Sequence, residues 1–66
     1  MVTVNNRDRV DWQPGMTVQS VLDVLGYSYV LITVTVNEVL VAQEDYASHP
    51  VPDGAAVTVF HLAHGG

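Results

Sequence analysis

The chain has 66 residues, 48% of them apolar, with no cysteine and with two Lys plus Arg against seven Asp plus Glu, a formal charge of −5. That length is one domain, 1–66, in which only about 60% of the unfolded surface can be buried. The acidic excess argues against a nucleic-acid partner, no apolar run approaches the ~20 residues of a membrane span, and no thiol is present for a disulfide, a thiolate metal site or a nucleophile. The opening Met1 to Arg7 lacks the basic and apolar regions of a signal peptide, so a cytoplasmic monomer is expected. The same charge suits a partner with a basic face, or serves solubility alone.

Val2-Thr3-Val4 alternates as a half-buried strand does, and Asn5-Asn6 is turn material, which predicts a hairpin. Its second arm is read as Asp8 to Trp12, with Val10 and Trp12 on one face, Arg9 and Asp11 on the other, and Trp12 in the core. Gln13-Pro14-Gly15 breaks the ladder, because proline has no N–H to donate. Thr17 then stands where an N-cap belongs, and Val18, Val21, Leu22 and Leu25 recur at i, i+3, i+4 and i+7. A helix over 18–25 follows, closed by Gly26 in the left-handed conformation, with one apolar stripe to lay on one face of a sheet.

The β-branched run Val30 to Val36 predicts a central strand with Ile32, Val34 and Val36 on one face and Thr33 and Thr35 on the other. Asn37-Glu38 reads as a tight turn into a short strand 39–41, Glu44 to Ala47 as one helical turn, and Tyr46 as a plug at the edge of the core. Asp53-Gly54 is a strong turn dipeptide before a last strand in which Val57, Val59 and His61 share one face and Thr58, Phe60 and Leu62 the other. With the last strand parallel beside the first, the order gives an α+β fold, a mixed sheet of about five strands grasping one helix. This is the β-grasp, or ubiquitin-like, architecture.

The strand runs into a tail, Leu62 to Gly66, that ends on Gly65-Gly66. Five extended residues reach roughly 16 to 18 Å. Glycine, having no side chain, threads a narrow channel and takes the φ and ψ that the channel imposes. A terminal carboxylate is a poor electrophile that reacts only when a partner activates it in a site that excludes water. The tail is thus read as a delivery arm, its other reading being a frayed end. Only one sheet face can meet the single helix. The valine face of the last strand suits it, leaving Phe60 and Leu62 beside Thr33 and Thr35 as a candidate docking patch, or Phe60 tucked under neighbouring loops. His64 is a solvated tail residue or, when protonated, a contact for ATP phosphate. His61 and His64 lack the carboxylate or thiolate company of metal ligands, and no metal is expected.

Over its whole length the chain resembles the ThiS family of sulfur carrier proteins of thiamine biosynthesis. The resemblance rests on Gly15-Met16-Thr17-Val18 opening a helix with Leu22 and Leu25, on Val34-Thr35-Val36-Asn37-Glu38, on Asp53-Gly54 before Val57-Thr58-Val59, and on the terminal Gly65-Gly66. Tyr46 stands where family members often carry Trp, and Ala55-Ala56 where acidic residues often follow Asp-Gly. The resemblance implies that Gly66 is adenylated by an ATP-dependent adenylyltransferase and converted to a thiocarboxylate, which gives its sulfur to the thiazole synthase. It further implies a sulfur donor enzyme as partner, no cofactor bound by the chain itself, and a co-substrate rather than an enzyme. Two other readings share the diglycine: the small subunit of a molybdopterin synthase, whose known examples generally run longer, and a ubiquitin-like modifier. The expected site is Gly65 and Gly66 for the chemistry, with Phe60, Leu62 and His64 for partner binding.

Overall fold

A computed structural model of the chain describes residues 1–27 and 32–61. Among them the chain forms β1 (Val2–Val4), β2 (Asp8–Val10), α1 (Val18–Leu25), β3 (Ile32–Val36), β4 (Val39–Val41), a 3₁₀ turn (Gln43–Asp45) and β5 (Ala56–His61). The strands make one mixed sheet in the order β2-β1-β5-β3-β4, with β1 and β5 parallel and the other neighbours antiparallel. This is the expected β-grasp. β3 is an interior strand as expected, lying between β5 and β4, and β5 is the middle one of the five.

Two hairpin turns are built from left-handed residues. Asn5 and Asn6 take φ of 56° and 55°, and Arg7 N–H donates to the Val4 carbonyl at 3.0 Å. Asn37 and Glu38 take φ of 50° and 70°. Positive φ at both central residues matches the twist of the flanking strands, and asparagine tolerates it better than most side chains do. The second arm of the first hairpin is shorter than the alternation implies. Val10 pairs with Val2, the first residue of β1, so Asp11 and Trp12 lie beyond the end of their partner strand.

The helix spans the expected residues and is capped at both ends. Ser20 N–H donates to Thr17 Oγ1 and Thr17 N–H to Ser20 Oγ, each at 3.3 Å, a reciprocal capping box. The next two orphan amides are met from outside the helix, since Val18 N–H donates to the His49 carbonyl at 3.1 Å and Gln19 N–H to the Tyr46 carbonyl at 2.9 Å. With Val51 N–H on the Met16 carbonyl at 3.0 Å, these bonds stitch the segment 46–51 to the helix start. At the other end Gly26 is left-handed, φ 76°, and bonds from Gly26 N–H to Asp23 and from Tyr27 N–H to Leu22 close a Schellman motif.

The core lies between the helix stripe and the inner sheet face. Val18, Val21 and Leu22 are buried with Val2, Val4, Ile32, Val34, Val36, Val41, Val57 and Val59. Leu25 is half-buried at the end of the stripe. Tyr46 closes one side, buried as expected, and burial raises its phenol pKa above the ordinary value. Trp12 packs against this cluster without joining it fully: its indole stays half-buried and donates to the Val51 carbonyl at 2.7 Å. Among the described residues no helix is long and apolar enough to cross a membrane.

Candidate functional site

Because α1 occupies the inner face of the sheet, side chains that alternate away from it meet solvent. Register defines what that outer face carries. Thr58 of β5, Thr35 of β3 and Leu40 of β4 form one row across three strands, and Phe60 stands opposite Thr33 one step further along. Phe60 is 54% exposed and Leu40 67%. They flank β3 on either side, two strand spacings apart and offset by two residues along it, roughly 12 Å in all, with the short side chains of Thr33 and Thr35 between them. Phe60 therefore takes the uncovered position expected for it rather than a place under neighbouring loops.

Leu40 belongs to the same face and is absent from the expected set. Its signal was present in the alternation of Val39-Leu40-Val41, since a buried Val41 turns Leu40 outward. What periodicity could not supply was the pairing of Leu40 with Thr35, which sets it on the side of Phe60. At the start of β5 the face changes character: Ala56, Thr3 and the exposed Arg9 form a row of small and polar side chains. The apolar end of the outer face is thus the end from which β5 leaves.

The strand β5 is followed to His61, which pairs with Ile32. Leu62, His64, Gly65 and Gly66, the remaining expected site residues, lie outside the described residues. Asn5 is the other group that sequence patterns missed. Its side chain reaches β5 directly, Oδ1 accepting Val59 N–H at 2.8 Å, and its Nδ2 donates to the Tyr27 hydroxyl at 3.2 Å.

An apolar groove of about 500 Å³, lined by Trp12, Met16, Pro50, Val51 and Pro52, opens elsewhere. Trp12 follows Val10, which pairs with the start of β1, and β1 runs parallel to β5. The groove therefore lies toward the end of the sheet opposite His61. Among the described residues no cluster of three or more His, Cys, Asp or Glu is arranged to hold a metal ion.

Two solved structures from Geobacter metallireducens resemble this arrangement. The crystal structure of a thiamine biosynthesis protein (ThiS) superposes with a TM-score of 0.78 at 28% identity, covering 98% of this chain and 97% of that one. The NMR solution structure of a thiamine biosynthesis protein gives a TM-score of 0.74 at 28% identity, over 98% of this chain and 86% of that one. No curated protein sequence is a significant match. The model of the ThiS family matches residues 2–66, from the first strand through both terminal glycines. With a match over nearly every residue and the same β-grasp in both solved relatives, the chain belongs to the ThiS family.

Proposed function

We propose that the chain is a sulfur carrier of thiamine biosynthesis whose sulfur rides on the carboxyl group of Gly66. The observation that carries this reading is the family match through residue 66, which includes the diglycine as well as the fold. The chemistry explains why glycine is needed there. A carboxylate resists attack until one oxygen becomes a good leaving group. An activating partner supplies this by joining the carboxylate to the α-phosphorus of ATP with loss of pyrophosphate. Sulfide-level sulfur released by a donor enzyme then attacks the carbonyl carbon, the bond from that carbon to the AMP oxygen breaks, and the thiocarboxylate is left for a thiazole synthase to consume.

In this scheme the chain performs no catalysis. It is a co-substrate, reloaded after each transfer, and its parts divide between docking and delivery. Phe60 and Leu40 offer the partner an apolar anchor on a rigid sheet, while the residues after His61 carry the reacting carbon into the partner's site. Leu62 and His64 are assigned to the partner's side of that passage. Gly65 and Gly66 pass where any side chain would collide. Loading that consumes ATP supports the expected cytoplasmic location.

Mass spectrometry of the intact chain tests the reading. Incubated with the activating enzyme, ATP and a sulfur donor, the chain gains the mass of one sulfur-for-oxygen exchange at its C-terminus, and deletion of Gly66 abolishes the gain. An isopeptide product on lysines of other proteins, with no thiocarboxylate, would instead make it a modifier.

A further inference from the structure

The sheet has two edges, β2 and β4, and they differ in character. β2 reads Asp8-Arg9-Val10, and charged side chains on an edge discourage another strand from adding to it. β4 reads Val39-Leu40-Val41, uncharged, free of proline and in unbroken register with β3. Val39 is 59% exposed and Leu40 67%. The chain has no lysine, the residue that most often guards such an edge.

Hydrogen bonding along β3 decides which backbone groups of β4 are open. In antiparallel ladders successive residues of an interior strand turn their N–H and C=O to opposite neighbours. Asn37 N–H donates to the Ala56 carbonyl at 2.8 Å, on the side of β5. Stepping back by two from Asn37, Thr35 and Thr33 also face β5, so Val36 and Val34 face β4. Their partners Val39 and Val41 accordingly turn their backbone groups inward to β3. Leu40, between them, presents its N–H and C=O to the open edge.

We propose that β4 is a self-association edge, to which a second copy of the chain adds its own β4 antiparallel and in register about Leu40. The edge reads the same in both directions. Pairing Leu40 with its copy sets each Val39 opposite a Val41, so every apolar side chain meets an apolar one, as a two-fold contact requires. The two Leu40 residues exchange both backbone bonds, and their side chains lie together on the outer face. Head-to-tail pairing of β4 with β2 would instead set Asp8 and Arg9 against valine and leucine, so the assembly closes at two copies. The contact is short. Three residues from each copy cover far less than the roughly 1,200 Å² of a stable complex, which puts Kd at about 0.1 to 1 mM. A net charge of −5 on each copy opposes the contact, so added salt should tighten it.

Self-association of this kind goes beyond the sulfur-carrier reading and is tested on the chain alone. Sedimentation equilibrium should give a monomer near ~10 µM and a weight-average mass at least about 1.5 times larger at ~2 mM. Leu40→Lys should raise Kd at least about tenfold, although it lowers the net charge. Val24→Lys, at an equally exposed position on α1, should leave Kd unchanged. In a mixture of isotope-labelled and unlabelled copies, a nuclear Overhauser contact should join the Hα of Val39 in one copy to the Hα of Val41 in the other. Within one strand those residues lie about 6.6 Å apart, too far for the contact, whereas facing residues of a non-hydrogen-bonded pair have Cα atoms about 4.5 Å apart. A monomer at every concentration, equal losses in the two lysine variants, or a dimer without the Val39 to Val41 contact overturns the proposal. So does a chain that stays monomeric while the activating enzyme protects its Leu40 amide from exchange, which would give the edge to a strand of that partner.

Discussion

The indole N–H of Trp12 donates to the carbonyl of Val51 at 2.7 Å, across 39 residues of chain. Val51 also donates its own N–H to Met16, so this one bond ties the end of the first hairpin to the segment that caps the helix. Replacing Trp12 by Phe keeps an aromatic ring against the core but leaves the Val51 carbonyl without its donor. The cost should be about 1 to 3 kcal/mol, read from the urea midpoint. A midpoint equal to the parent's would show that solvent replaces the bond freely.

Leu22 is fully buried and Val24, two residues on, is 67% exposed. Leu22→Ala removes packed methylenes and should cost about 2 to 5 kcal/mol, a large share of the ~5 to 15 kcal/mol that holds a typical domain together. Val24→Ala should be neutral or slightly stabilising, since alanine is the better helix former and little burial is lost. Equal effects at the two positions would mean that the helix presents another face to the sheet.

Tyr46 gives stability a dependence on alkaline pH. Burial raises its folded pKa above the value near 10 of an unfolded tyrosine, so the folded state holds the proton more tightly. That contribution is complete below the unfolded pKa and is lost as pH rises through the folded one. The chain has no lysine to obscure this window. Denaturant midpoints should fall as pH is raised beyond about 10 in the parent, and fall less steeply in Tyr46→Phe. Identical slopes would remove Tyr46 as the cause.

Docking and chemistry should separate on the outer face. Phe60→Ala is expected to weaken binding to the activating enzyme by about 2 kcal/mol, and Leu40→Ala by about 1 kcal/mol, as apolar anchors at an interface do. Deleting Gly66 should leave most of the binding in place while stopping adenylation. Calorimetric titration of the three variants decides the matter, and a Phe60→Ala variant that binds like the parent would place the dock elsewhere.

Much of this architecture is legible in the residues one after another. The helix from Val18 to Leu25, its Thr17 and Gly26 ends, the turn at Asn37-Glu38 and the outward side of Phe60 all follow from periods of 3.6 and 2 and from the conformational range of particular side chains. Those are local properties, set within a turn or a pleat. Which strand lies beside which is not local. Only the folded chain places β5 in the middle of the sheet, brings Leu40 beside Phe60 across β3, stops β2 at Val10 where its partner ends, and turns Trp12 toward Val51. The same holds for Asn5, a turn residue by every local measure. Its amide reaches Val59, 54 positions away, because the parallel pairing of β1 with β5 sets the end of one strand against the flank of the other. A hydrogen bond between distant residues depends on that pairing, and no pattern of neighbours encodes it.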